Sequence, residues 1–195
     1  MFFYSRIPYC LVVFIFCHDI KLIPINMRFL IIFILLINNV FAATEPDIKN
    51  IVVNKEPKTY DSVFFLDTKG QEIYLSEFKN NLVILNFWAT WCAPCKEEMP
   101  SLDKLQNNEL FSNLKIFPIN IGQDSVKKAE QFFTDLQIQH MEIYFDPEIT
   151  LAKTFLLRGV PTTIIFNKKG EEFARIIGSI DFGDKKFLEW LSKYN

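Results

Sequence analysis

Leu82-Val83-Ile84-Leu85-Asn86-Phe87-Trp88 leads through Ala89-Thr90 into Trp91-Cys92-Ala93-Pro94-Cys95, and a helix-like stretch follows from Lys96 to Asn107. The first run is short, apolar and opened by Asn80-Asn81, the pattern of a buried strand. A strand feeding a helix puts Cys92 at or just before the helix N-terminus. Backbone N–H groups without helical partners and the positive end of the helix dipole gather there, and both stabilise a thiolate. Pro94 fits the first helical turn, where its missing N–H leaves nothing unsatisfied. Cys95 lies close enough to Cys92 to close a small disulfide ring. One activated thiol with a second ready to resolve a mixed disulfide is what thiol–disulfide exchange requires.

Two other uses of such a pair compete with this one. Half of a zinc site needs two more ligands, and beyond residue 43 the chain has no other cysteine and only His140. A static structural bridge is the second, and such bridges rarely close so short a loop at a helix start.

The chain has 195 residues, half of them hydrophobic. That suits one globular domain plus a targeting segment, with enough chain to bury a core unaided by disulfides. The whole sequence holds 21 basic and 23 acidic residues. Arg6, Lys21, Arg28 and Asp19 fall within residues 1–42, so the remainder carries 18 basic and 22 acidic, a net of −4. This balance makes no case for a nucleic-acid partner. No internal repeat is present.

Met27-Arg28 precedes an apolar run from Phe29 to Ile37, then Asn38-Asn39 and Val40-Phe41-Ala42-Ala43. A short basic start, an apolar stretch and small residues around a cut after Ala42 are the parts of a secretory signal. The run is well short of the roughly 20 residues of a spanning helix. The segment 1–43 therefore reads as a cleaved leader, with an uncleaved membrane anchor as the alternative. Residues 1–26 carry a separate apolar run, Leu11 to Phe16, and translation is expected to start at Met27. Cys10, Cys17 and His18 sit in that leader and are not read as a metal cluster. Lys21 and Arg28 on the N-terminal flank put the rest of the chain outside the cytoplasm, where disulfides persist.

Residues 44–58 are polar, with Pro46 and Pro57, and read as a linker; residues 59–195 read as the folded domain. Strands are expected at 62–66, 72–75, 114–121, 141–145, 162–166 and 172–177. Asp67-Thr68-Lys69-Gly70 and Asn167-Lys168-Lys169-Gly170 read as turns. Ser76 is expected to cap a short helical turn. Ser125 is expected to cap a helix with Val126, Ala129, Phe133 and Leu136 on its core face. Asp146-Pro147 is expected to open a helix reaching Leu157, and a last helix runs from Asp184 to Tyr194 with Phe187, Trp190 and Leu191 inward. Strands alternating with helices, then a hairpin and a final helix, imply an α/β fold with a mixed sheet covered on both faces.

Phe87 to Pro100, with WCAPC at its centre, resembles the active-site signature of thioredoxin-fold proteins, and more narrowly that of the extracytoplasmic TlpA/ResA/DsbE-type, AhpC/TSA-related thiol:disulfide oxidoreductases. Gly159-Val160-Pro161-Thr162-Thr163 is similar to the cis-proline loop of that superfamily. The stretch from Ser125 to Phe145 resembles the helix–strand insert that separates these proteins from plain thioredoxin. The resemblance implies Cys92 as the attacking thiolate, Cys95 as the resolving thiol and a cis Pro161 beside the pair. Trp91, Pro94 and the Val160 backbone would form the surface that receives a client peptide. The redox-active Cys92–Cys95 disulfide would serve without a further cofactor or metal. Partners would be client proteins with cysteines or disulfides and a membrane thiol donor, in the periplasm if the source is a bacterium. The clients could be the thiols of apocytochrome c before haem attachment, or a copper-site protein.

One departure matters. Thioredoxin has a buried aspartate where this chain has Asn86, which cannot take a proton. Glu98, one helical turn after Cys95, matches a glutamate that the TlpA/ResA type uses near its thiols; an exposed helix glutamate, as expected for Glu97, is the other reading. His140 is expected in a polar loop, and Trp88 and Trp190 in packing. A thiol peroxidase shares the fold, but it usually wants a threonine three residues before its cysteine, where this chain has Ala89, and a nearby arginine, for which only Arg158 and Arg175 lie downstream. A Cu(I)-binding metallochaperone is the non-enzymatic alternative, although the four methionines form no cluster.

Overall fold

Leu82–Trp88 is a strand with every residue buried, as expected of an apolar run too short for a helix and covered on both faces. The structure, a computed structural model, describes residues 48–195. The leader with its cut after Ala42, the start at Met27, and Cys10, Cys17 and His18 lie outside the described residues.

The elements follow in order as β1 (Ile51–Lys58), β2 (Phe64–Leu66), β3 (Glu72–Tyr74), a 3-10 turn (Leu75–Phe78), β4 (Leu82–Trp88), α1 (Ala93–Gln106), β5 (Leu114–Asn120), α2 (Val126–Asp135), β6 (Tyr144–Phe145), α3 (Thr150–Thr154), β7 (Thr162–Phe166), β8 (Glu172–Ile177), α4 (Lys185–Leu191) and a closing 3-10 turn (Ser192–Tyr194). The strands join in one mixed sheet of order β1-β8-β7-β4-β5-β6-β2-β3. β4 runs parallel to β5 and antiparallel to β7.

The pleat of β4 divides the core. Leu82, Ile84 and Trp88 face α1, α2 and α4, meeting Met99, Leu102, Phe132, Phe187 and Leu191. Val83, Leu85 and Phe87 point the other way, to Phe65, Phe117, Leu151 and Phe155. Each fully buried aliphatic or aromatic side chain of this kind contributes about 1.5–3 kcal/mol. Asn86 lies in register with the α1-facing set, so the pleat buries one polar side chain against that helix.

Four expectations are corrected. Residues 51–58, read as linker, form β1, which pairs antiparallel with β8 through Ile51↔Ile176 and Val53↔Ala174. Ile51-Val52-Val53 supplies the strand propensity, while the polar remainder and Pro57 suit an edge that breaks register toward Lys58. Ser76 lies inside its 3-10 turn, which has no side-chain cap. The strand expected at 141–145 is confined to Tyr144–Phe145. The helix expected to begin at Pro147 starts at Thr150. Asp146 still caps it, accepting from the Thr150, Leu151 and Ala152 amides at 2.9, 2.8 and 3.2 Å; its side chain reaches the first turn from outside the helix.

Candidate active site

The site forms where β4 ends and α1 begins. Cys92 N–H donates to Ala89 O at 3.1 Å, closing the turn Ala89-Thr90-Trp91-Cys92. Cys92 is the N-cap of α1, and its sulfur accepts from the Cys95 N–H at 3.2 Å. Pro94 sits in the first turn of the helix. Cys92 and Cys95 are joined by a disulfide. Cys95 is fully buried and Cys92 nearly so, while Trp91 beside them is 68% exposed. Pro94 is exposed as well.

Helical spacing then selects the next residues inward. Cys95, Glu98, Met99 and Leu102 are buried along one stripe of α1, one turn and two turns apart. Glu98 is therefore carried against β4, and it meets the one polar side chain that β4 presents. Asn86 Nδ2 donates to Glu98 Oε1 at 2.8 Å and to Thr163 Oγ1 at 2.9 Å. Thr163 stands opposite Asn86 in the β4–β7 register. Among the described residues, Glu98 Oε2 and Asn86 Oδ1 have no hydrogen-bond partner. Burial pushes the Glu98 carboxyl up to about 7, against the lowering effect of the Asn86 amide and the Ile180 backbone N–H. Glu98 also lines a cavity of about 670 Å³ with Ser101, Lys104, Ile180 and Asp181. A carboxyl that exchanges its proton near neutral pH, one turn from Cys95 and next to open space, can serve as a proton acceptor and donor.

Val160-Pro161 is a cis peptide. It immediately precedes Thr162, the partner of Phe87, so the loop is delivered to the end of β4 that leads into the cysteines. Pro161 is buried and Val160 partly so.

Other candidates are placed elsewhere. Arg175 is held by Glu172 and by Phe155 O, and Arg158 is exposed. His140 is exposed, and its backbone N–H donates to Asp103 Oδ1 at 2.7 Å. Trp88 stacks on Phe132, and Trp190 packs on Phe187. One part of the site escaped the sequence reading. The loop at residues 121–124 lies against the Ala89–Cys92 turn, and Asp124 bonds to Thr90. Gly122-Gln123-Asp124 looked only like the end of a strand, and no local pattern marks the contact.

The thiol-disulfide oxidoreductase ResA of Halalkalibacterium halodurans is 32% identical to this chain over 105 residues, which are 54% of this chain and 58% of that protein. The ResA of Geobacillus kaustophilus is 33% identical over 117 residues, 58% of this chain and 64% of that protein. The chain thus spans less than two thirds of the length of these relatives. The crystal structure of StoA from Bacillus subtilis superposes with a TM-score of 0.58 at 24% identity, over 69% of this chain and 99% of that one. The fold is thioredoxin-like. The AhpC/TSA family matches residues 53–171, a span that runs from the edge strand β1 past the cysteine pair and the cis-proline loop. With more than half of its length under that match, the chain belongs to the AhpC/TSA family.

Proposed function

We propose that the protein is a thiol:disulfide oxidoreductase that reduces disulfides in client proteins outside the cytoplasm. The observation that carries this reading is the Cys92–Cys95 disulfide at the mouth of α1 with the underpartnered Glu98 one turn further in. Likeness to relatives named thiol-disulfide oxidoreductase supports it.

In the reduced protein, Cys92 is the thiolate, favoured by the helix N-terminus and by the Cys95 N–H. It attacks one sulfur of a client disulfide. A Cys92–client bond forms, the client S–S bond breaks, and the released client thiolate takes a proton. Glu98 accepts the Cys95 proton. The Cys95 thiolate then attacks Cys92 sulfur, closing the Cys92–Cys95 disulfide and releasing the second client thiolate, which is protonated. The client gains two electrons and the protein loses two. A membrane dithiol protein restores the dithiol and is itself oxidised. The cysteine pair is the whole redox group, with no separate cofactor and no metal. Trp91, Pro94 and the Val160 backbone form the surface on which the client lies, with Pro161 beside the cysteine pair.

The place outside the cytoplasm rests on the leader pattern from Met27 to Ala43. Among the described residues no helix is long and apolar enough to cross a membrane. Apocytochrome c whose haem-attachment cysteines are joined in a disulfide is the client class this reading favours. A peroxidase is disfavoured by Ala89 and by the engagement of Arg175 with Glu172.

Cys95→Ala tests the mechanism. Once reduced, this variant should hold clients from an extracytoplasmic extract as stable mixed disulfides on Cys92, released by dithiothreitol and absent in Cys92→Ser. Recovery of the variant free of any disulfide-linked partner, or equal capture by Cys92→Ser, would overturn the reading.

A further inference from the structure

The Ala89–Cys92 turn carries Trp91 out into solvent, so burial of the indole cannot be what fixes it. The fixing comes from below. Thr90 N–H donates to Asp124 Oδ2 at 3.0 Å, and Thr90 Oγ1 donates to Asp124 Oδ1 at 2.7 Å. Asn120 Nδ2, at the end of β5, donates to Asp124 Oδ2 at 3.0 Å, and Lys128 Nζ pairs with Oδ1 at 2.6 Å. Four donors thus converge on one carboxylate whose side chain is 2% exposed. Charge-assisted bonds of this kind are the strong ones.

Two further features say what the convergence is for. Asp124 is not consumed as a helix cap, because Ser125 already caps α2 by accepting from the Lys128 N–H. In addition, the loop touches the turn directly at Gly122. A Cβ there would stand 2.7 Å from Ala89 Cβ and 3.2 Å from Trp91 Nε1, so only glycine lets the loop lie flush beneath the turn. Burial raises the Asp124 carboxyl, but Lys128, Asn120 and Thr90 together bring it down to about 2. The acceptor is therefore charged throughout the ordinary pH range.

We propose that Asp124 is a positioning residue for thiol–disulfide exchange: it holds the Ala89–Cys92 turn against the loop at residues 121–124 and keeps Trp91 standing beside Cys92 as a fixed wall for the client chain. Asp124 makes and breaks no bond in the reaction. The proposal rests on the reading of Cys92 and Cys95 as an exchange pair. It assigns Asp124 to docking of a polypeptide, not to activation of the thiol.

The test uses the full-length protein in its reduced form with two oxidants: a disulfide-bonded Cys-Xaa-Xaa-Cys-His peptide, which must lie against Trp91, and hydroxyethyl disulfide, which need not. For Asp124→Ala, the single-turnover second-order rate constant toward the peptide should fall about tenfold, mostly through a higher half-saturating peptide concentration, while the rate with hydroxyethyl disulfide stays within about twofold. Thr90→Val should fall in the same direction, Thr90→Ser should keep the wild-type value, and Thr90→Val added to Asp124→Ala should lose nothing more. An unchanged peptide rate, or an equal fall with both oxidants, overturns the proposal. If Asp124→Ala does not fold, the Thr90→Val and Thr90→Ser pair decides, and equal peptide rates in the two overturn it. A wild-type protein inert toward both oxidants instead removes the exchange reading itself, and the proposal with it.

Discussion

Glu98 and Glu172 are both buried acids, and the protein treats them in opposite ways. Glu172, on β8, is 0% exposed. Arg175 Nε pairs with it at 2.6 Å, and Asn54 Nδ2 and the Tyr60 hydroxyl also donate to it. Burial raises its pKa, but these partners outweigh burial and hold it below the usual range. Glu98 is 2% exposed, and its polar neighbours are neutral, the Asn86 amide and the Ile180 backbone N–H, with Oε2 left without a hydrogen-bond partner among the described residues. There burial wins, and the carboxyl titrates near 7. The same side chain is a fixed charge in one place and an exchangeable proton in the other. Burial does not decide between them; the number and charge of the partners does. The saturated acid ties β1 and the Tyr60 segment to the sheet, and the underpartnered one sits one turn from a cysteine.

The largest effect that sharpens this contrast belongs to the scaffold. Arg175→Ala leaves Glu172 charged and buried without its cation, and should cost about 3–5 kcal/mol in thermal or denaturant unfolding. The pH dependence of exchange in the folded fraction should not move. A loss below about 1 kcal/mol would show that Glu172 does not depend on its partner and would break the contrast.

Glu98→Gln should act the other way. In the oxidised protein Glu98 keeps its proton up to about 7, whereas the unfolded chain releases it near 4.5. Between these values the folded state binds more protons, so wild-type stability falls as pH rises, by about 3 kcal/mol once pH passes 7. Gln removes that dependence. The variant should match wild type near pH 4 and exceed it by up to about 3 kcal/mol near pH 8, while disulfide closure in the reduced protein slows and loses its inflection near neutral pH. A constant offset at all pH values, with an unaltered exchange profile, would make Glu98 a packing residue.

The parts of the molecule that were legible beforehand are those governed by short-range rules. β4 was legible because its length and apolarity exclude a helix, and Cys92 because a strand-to-helix step places it at an N-terminus. Glu98 was within reach because helical spacing from Cys95 puts it on the buried stripe. What escaped depends on distant chain. β1 becomes a strand only because β8 offers it an open edge. The Asn86–Glu98–Thr163 contact needs both the pleat of β4 and its register with β7. Asp124 acquires its role from a turn 34 positions earlier in the chain, and nothing in its neighbourhood in sequence announces that approach.

The central claim is that Cys92 and Cys95 trade two electrons as one unit. Its most direct test equilibrates the full-length protein in dithiothreitol or glutathione buffers across a range of potentials and labels the remaining thiols with an alkylating reagent. The account predicts that the two cysteines lose their labels together, along a single transition of about 30 mV per tenfold change in the reduced-to-oxidised ratio, and that replacing either by serine abolishes it. Cys92 and Cys95 remaining labelled under full oxidation, or titrating separately, would contradict it.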